Sequence, residues 1–487
     1  MGKFNQNVHV DGTRTYEGAL AYEKDAVDDF VNNLFSNNFE DGFYESKDQR
    51  LNNFLCLLDD VRRQKGDAFV AKLAKFSRNE LGMRSVSQVV AASLNDSKME
   101  GKRQFYKGFC HRPDDVAEVF AFLGLQDEKP SHAMVRGFGD YVSGLSEYQL
   151  GKYKMSGKEW NLYDIVNVTH AHSDAIDKLK RDALDSPDTW EVSISGSKSE
   201  EEKAQNWVRL VSEHKLGYMA LIMNLRNILA SAPNGGWVRD VLCPQIEDED
   251  AIRRSLIFPY RIYNAYKNYR NGGNNVKNVS VDMALSNAFA ASCDNVPQFE
   301  GDTVVVIDVS GSMQSPYSKM SSLTILEISA CYAAAFLLAN PFHTKVYKFG
   351  TTAKEFRIPY ADDAFSFIEK LMDNDGCGYS TEIDGVYELL DRHYDRMLLF
   401  SDEQVMESNN SWWYRNHETP KSLHSNYCRR YGLCRVHSFD LGNYKFQAVS
   451  DDPSVMRYFT ALSPQVFDFL RIVESGQSIA DYIDSHY

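Results

Sequence analysis

The run Thr303-Val-Val-Val-Ile307, followed at once by Asp308-Val-Ser-Gly-Ser312, constrains the fold more than any other stretch. Five β-branched residues without a turn former read as a strand buried on both faces, as in a parallel sheet. Just beyond it, Asp308, Ser310 and Ser312 put an oxygen donor at every second position. One carboxylate and two hydroxyls so spaced can converge on a small hard cation such as Mg²⁺, which takes oxygen ligands and keeps positions for water. The carboxyl ends of strands are also where open α/β sheets bind ligands. Alone the pattern is weak, because Ser-Gly-Ser is ordinary turn chemistry.

The hydrophobic period changes near residue 300. Beyond it, buried-strand patterns at Val304–Ile307, Val346–Phe349, Met397–Phe400 and Val436–Leu441 alternate with helical ones at Thr324–Leu338, Ala361–Leu371 and Ile383–His393. Such alternation predicts a doubly wound α/β domain with a parallel sheet. Pro464–Val473 reads as a closing helix. Before residue 300 the spacing is helical from about Tyr22 to Ala290, and only Trp190–Ile194 alternates enough to suggest a strand. Breakers at Pro113, Pro130, Pro233 and Pro244 divide many of the helices. Stacked helix pairs in an irregular solenoid suit that pattern. The predicted organisation is an arm over 1–20, a helical module over 21–298 and the α/β domain over 299–487.

The formal charge of −15 removes bulk attraction to nucleic acid or an anionic membrane, so any such site must be a local patch. Eight scattered cysteines form no Cys-x-x-Cys pair and are expected to be free thiols. The first residues lack an apolar signal-peptide core, and the longest apolar run, Ala333 to Ala339, is too short to span a bilayer. The expectation is a soluble cytoplasmic monomer without a membrane partner.

Two later loops answer the first. Gly376-Cys-Gly-Tyr-Ser-Thr381 precedes a helix, and Phe400-Ser-Asp402 ends a buried strand. Thr381 can add a hydroxyl, and Asp402 can hold a metal-bound water. Taken singly, Thr381 reads as a helix cap and Asp402 as a turn former. Together and in this order, Asp308, Ser310, Ser312, Thr381 and Asp402 resemble the metal-ion-dependent adhesion site of von Willebrand factor A domains. The resemblance spans about 300–487, with Glu382 standing where an Asp is frequent. Its ligand set is poor in negative charge, so the ion would stay electrophilic and accept a carboxylate from a protein partner.

Charge in the helical half is uneven. Residues 62–112 hold 12 basic and 4 acidic side chains, and 253–277 hold six basic ones and no acid. Tyr260, Tyr263, Tyr266 and Tyr269 interleave with the second group. Such stripes suit a phosphate backbone with bases on the aromatics. For either stripe alone, solvated helix faces with tyrosines packed between helices are the preferred reading. A sharper cluster is Tyr148-Gln-Leu-Gly-Lys-Tyr-Lys-Met-Ser-Gly-Lys-Glu-Trp160, continuing to His170. With Arg78-Asn-Glu-Leu-Gly-Met-Arg-Ser85, Arg112-Pro-Asp-Asp115, Arg136-Gly-Phe138 and Tyr218 through Arg226, it resembles the Ro ribonucleoprotein family. In that family a helical TROVE module runs directly into a von Willebrand A domain.

That resemblance implies a multidomain fold: a HEAT-like helical ring closed by the α/β domain. It implies RNA 3′ ends threading the ring and small Y RNAs on its outside. By motif match Lys152, Lys154, Lys158 and His170 would contact RNA, joined by Arg84, Arg112 and Arg136. The function it implies is a non-catalytic scaffold or quality-control factor for small non-coding or misfolded RNA. The alternative is a metal-dependent protein-interaction scaffold without RNA binding. A hydrolase ranks last, since no base stands beside Asp308 and no Cys–His pair can be placed in one pocket from sequence.

Overall fold

The computed structural model describes residues 26–27, 30–31, 47–153, 155, 159–184, 189–271, 278–317, 323–357, 363–402, 420–441, 449, 455–459, 465–475 and 478–487. The expected arm over 1–20 lies outside the described residues. By packing, the chain forms two compact units, 1–192 joined by 465–487, and 193–464. This division runs elsewhere than residue 298, where helices give way to strands.

Among the described residues, the regular elements of the first unit are all helices. Helix Lys102–Phe109 packs on His132–Ser143, which in turn packs on Leu162–Thr169. Glycine sets both approaches. A Cβ on Gly137 would lie 2.5 Å from the Arg103 carbonyl oxygen, and one on Gly139 would lie 2.6 Å from that of Thr169. Tyr106, Phe138, Phe120 and Trp160 then pack in sequence, edge to face or tilted, with centroids 5.1, 5.5 and 5.2 Å apart. Gly137→Ala must push two helix backbones apart and should cost about 1–3 kcal/mol. A lower thermal midpoint is the expected result, and an unchanged melt would show that the pair has slack.

The expected closing helix is Val466–Glu474, and a further helix, Ile479–His486, follows it. Both belong to the first unit. Phe469, Tyr482 and Tyr487 bring their rings within 6.5, 6.1 and 6.3 Å of the buried Phe76. Lys72 pairs with Asp484 at 3.0 Å, and the Tyr487 hydroxyl donates to Glu80 at 3.2 Å.

Trp190–Ser195 is a helix and not a strand. Its alternation has no neighbouring strand to pair with, and a strand without a ladder leaves its backbone unsatisfied. Pro244 does not end a helix either. The chain passes it through a π turn, Val238–Leu242, in which the Cys243 N–H reaches back to the Val238 carbonyl.

In the second unit, helices from Glu200 to Ser292 lead into one sheet. Its strands are β1 Thr303–Asp308, β2 Thr344–Phe349, β3 Ala353–Phe356, β4 Arg396–Ser401, β5 Arg435–Asp440 and β6 Met456–Phe459, in the order β3-β2-β1-β4-β5-β6. Every neighbouring pair is parallel except β2 with β3. All six residues of β1 are buried, as a strand covered on both faces requires. Strands β3 and β6, four residues each, stand at the two edges and lack the apolar runs that marked the central strands. Helix Ile325–Ala339 carries apolar residues around most of its circumference and is nearly all buried.

Candidate nucleic-acid interface and cation site

Strand β1 lies between β2 and β4, so the chain leaves its carboxyl end toward one side and returns on the other. This is the switch point at which an open α/β sheet offers a ligand cleft. Asp308 ends β1 fully buried. One of its oxygens accepts the Ser310 N–H at 2.8 Å, and the other accepts the Ser401 hydroxyl at 2.6 Å. The Ser310 and Ser312 hydroxyls lie 3.2 Å apart. Asp402 follows Ser401 and is equally buried.

The loop bearing Thr381 is tied to the same place. The Gly311 N–H donates to the Tyr379 carbonyl at 3.1 Å. The Asn374 amide donates to the carbonyls of Val309 and Gly378, at 2.9 and 2.8 Å. Buried Lys348 holds the loop from below, donating to the Asp373 carbonyl at 2.9 Å and pairing with Asp375 at 2.6 Å. Gly378 has φ +86°, and a Cβ there would lie 2.4 Å from the Thr351 hydroxyl. Thr381 itself is buried.

Burial pushes the Asp308 carboxyl up to about 7; hydrogen bonds from Ser401 and Ser310 oppose the rise, and the nearby Asp402 charge adds to it. None of these neighbours is a cation. Two buried carboxylates beside a hydroxyl pair form a donor set that fits a hard divalent ion. No cluster of three or more His, Cys, Asp or Glu placed for a metal exists among the described residues. Such an ion would therefore rest on hydroxyls as well as carboxylates. Ser401 and Asn374 went unnoticed in sequence because each acts across the sheet end.

The RNA-contact candidates lie in the first unit, except that Lys154 and Lys158 fall outside the described residues. Arg84 and Arg112 both pair with one oxygen of Asp114, at 2.7 and 3.2 Å. The Arg112 guanidinium lies 5.0 Å from the centre of the Tyr153 ring and the Lys152 ammonium 5.7 Å from it. Lys152 also pairs with Glu191 at 3.5 Å. Arg136 is exposed. His170 caps its helix in the left-handed region, φ +53°, and is exposed rather than buried. Thus Arg84, Arg112 and Lys152 are brought into one network, while among the described residues no contact links Arg136 or His170 to it.

Beneath the network, Asp115 is fully buried. It receives Arg78 at 3.2 Å, Gln88 at 2.8 Å, and the backbone N–H groups of His111 and Arg112 at 3.0 Å each. Burial would raise its carboxyl, but Arg78, Gln88 and those N–H groups overcome it and hold the acid below its usual range. Tyr141 stands close by. Its phenol is raised by burial first, then by Cys110, Asp115, Asp114 and Tyr153, so it remains a neutral donor. Asp114 and Tyr153 lie within the Arg112–Asp115 and Tyr148–Trp160 motifs, but nothing local marks them as partners of the arginines.

The basic stripes are mostly structural. In 62–112, Arg62 pairs with Asp67 and Asp96, Arg63 with Asp60, Lys72 with Asp484 and Arg103 with Asp140. Buried Lys102 donates to the carbonyls of Asn95 and Ser97. In 253–277, Lys267 pairs with Glu327 and Arg270 with Asp282, while Lys277 lies outside the described residues. Tyr263 and Tyr266 pack on Phe365, and Tyr260 stacks on Tyr332. These tyrosines are packing residues.

The eight cysteines are free. One Cys–His pair does exist: Cys428 Sγ lies 3.3 Å from His424 Nε2, one helical turn away. Burial raises the thiol and lowers the imidazole, so both stay neutral and no thiolate nucleophile forms. Among the described residues, no helix is long and apolar enough to cross a membrane.

Comparison with known proteins matches residues 169–290 to the TROVE domain. Telomerase protein component 1 of Rattus norvegicus is 22% identical over 289 residues, a match covering 41% of this chain. The chain spans 11% of that protein's length. The crystal structure of the Deinococcus radiodurans RO (RSR) protein superposes with a TM-score of 0.65 at 14% identity, over 86% of this chain and 93% of that one. It shows the same fold.

Proposed function

We propose that this chain, a member of the Ro/TROVE family, acts without catalysis as an RNA-binding protein of ribonucleoprotein type. Its RNA would be small non-coding or misfolded RNA, engaged through single-stranded 3′ ends. The observation that carries the reading is a chain of contacts between residues distant in sequence: Arg84 and Arg112 meet on Asp114, and Arg112 and Lys152 meet at the Tyr153 ring. That convergence supplies phosphate and base contacts despite a net charge of −15.

A second part of the proposal concerns the sheet end. It reads as a von Willebrand A-type domain in which Asp308, Ser310, Ser312 and Thr381 hold Mg²⁺ and Asp402 orients its water. The ion would supply an electrophilic point for a partner's carboxylate.

Fluorescence anisotropy with a single-stranded RNA bearing a free 3′ end, measured across a salt series, tests the first part. Lys152→Ala should lower affinity and flatten the slope of log K against log salt by about 0.7, the share of one phosphate. Glu191→Gln should do the reverse. It frees Lys152 from a half-buried ion pair and should raise affinity by up to about fivefold. If the wild-type protein binds no RNA even at low salt, the reading fails.

A further inference from the structure

The Arg84–Asp114–Arg112 cluster has features that ion pairing alone does not require. The Asp114 side chain is 8% exposed, while each arginine side chain is 41% exposed. One carboxylate neutralises only one of two guanidinium groups and holds both close together. An arriving anion would meet two forks with donors still available, the geometry that suits phosphate. Beside them, Tyr153 already carries a cation over its ring. Such rings also stack bases.

The second observation is a local shortage of partners. Asp114 Oδ1, Arg112 Nε and the Tyr141 hydroxyl are buried without a hydrogen-bond partner among the described residues, as is Glu191 Oε2 on the carboxylate that faces Lys152. Buried polar atoms are seldom left so; of the four, the two donors, Arg112 Nε and the Tyr141 hydroxyl, suit an anion or its water, and the two carboxylate oxygens suit water alone.

We propose that this cluster is a clamp for a single nucleotide unit of RNA. One phosphate is shared by the Arg84 and Arg112 forks. The attached base stacks on Tyr153, in the place the Arg112 guanidinium holds in the free protein. Asp114 touches neither; it fixes the two forks at one spacing. The clamp rests on the RNA-binding reading and specifies one subsite within it.

The test is anisotropy with the same single-stranded RNA across salt, with circular dichroism melts as the folding control. Arg84→Ala and Arg112→Ala should each weaken binding about tenfold and flatten the salt slope by about 0.7. The double variant should flatten it by the same total of about 0.7 and not by twice that, because both forks serve one phosphate. Arg84→Lys keeps the charge but loses the fork, and should weaken binding with the slope unchanged. Tyr153→Ala should weaken binding about tenfold without a slope change, and Tyr153→Phe should bind as wild type. Wild-type binding with every one of these variants behaving like it overturns the clamp and leaves the RNA reading standing. A double variant with twice the slope change overturns the shared phosphate. No binding by the wild type at low salt overturns the RNA reading itself.

Discussion

Asp115→Ala should lower the stability of the first unit by about 3–5 kcal/mol, the cost of leaving one half of a buried ion pair alone. Arg78, with 8% of its side chain exposed, would keep its charge and lose its carboxylate. Gln88 and the N–H groups of His111 and Arg112 would lose the same acceptor. For a unit of this size the midpoint should fall by about 10 °C. The sign with pH follows from the depressed acidity of Asp115. Its stabilising contribution is present above the unfolded carboxyl pKa of about 3.9 and fades as pH falls through the lower folded value. Wild type should therefore lose stability on acidification more steeply than the variant. Equal melts at neutral pH would show that Arg78 finds another partner. Because Asp115 also fixes the turn carrying Arg112 and Asp114, RNA affinity should fall with stability.

Asp308→Asn should separate two effects that a single binding assay confounds. Calorimetry should show divalent-ion binding by wild type and none by the variant, since the ion loses its principal carboxylate. In metal-free buffer, however, the variant should melt at or above wild type. The amide that replaces the carboxylate keeps an acceptor for the Ser310 N–H, and the Ser401 hydroxyl can turn to accept from its NH₂ group. The replacement also removes one of two buried negative charges that lie close enough to perturb each other. With Mg²⁺ at 100 times its dissociation constant, wild type should gain about 2.7 kcal/mol and the variant nothing. Equal ion binding by both proteins would sink the assignment. A lower metal-free melt for the variant would show that Asp308 is needed for folding before any ion arrives.

What could be read from sequence was what is local. The strand Thr303–Asp308 and its oxygen donors are consecutive, and burial and spacing followed directly. The Ser401 hydroxyl on Asp308 could not be read, because the register of β4 against β1 places it there. The ion pairs within the basic stripes were hidden for the same reason. Arg62 with Asp96, Arg84 with Asp114 and Arg103 with Asp140 are pairs about 30 residues apart or more. A charge count over 62–112 leaves out Asp114 and Asp140, and although it includes Asp96 it cannot show that Arg62 is its partner. Spacing did suggest that the tyrosines of 259–271 could pack between helices, though not that Phe365 and Tyr332 would receive them. Edge strands β3 and β6 are too short to carry a period of their own.

The division of the first unit into 1–192 and 465–487 has a consequence for synthesis. Phe76 gains its ring contacts with Phe469, Tyr482 and Tyr487 only after all of 193–464 has left the ribosome. At ordinary translation rates that interval is roughly 15–50 s. Throughout it an aromatic face stays bare on a nascent chain whose neighbouring helices can already pack. The face closes only when Val466–Glu474 and Ile479–His486 arrive to cover Phe76.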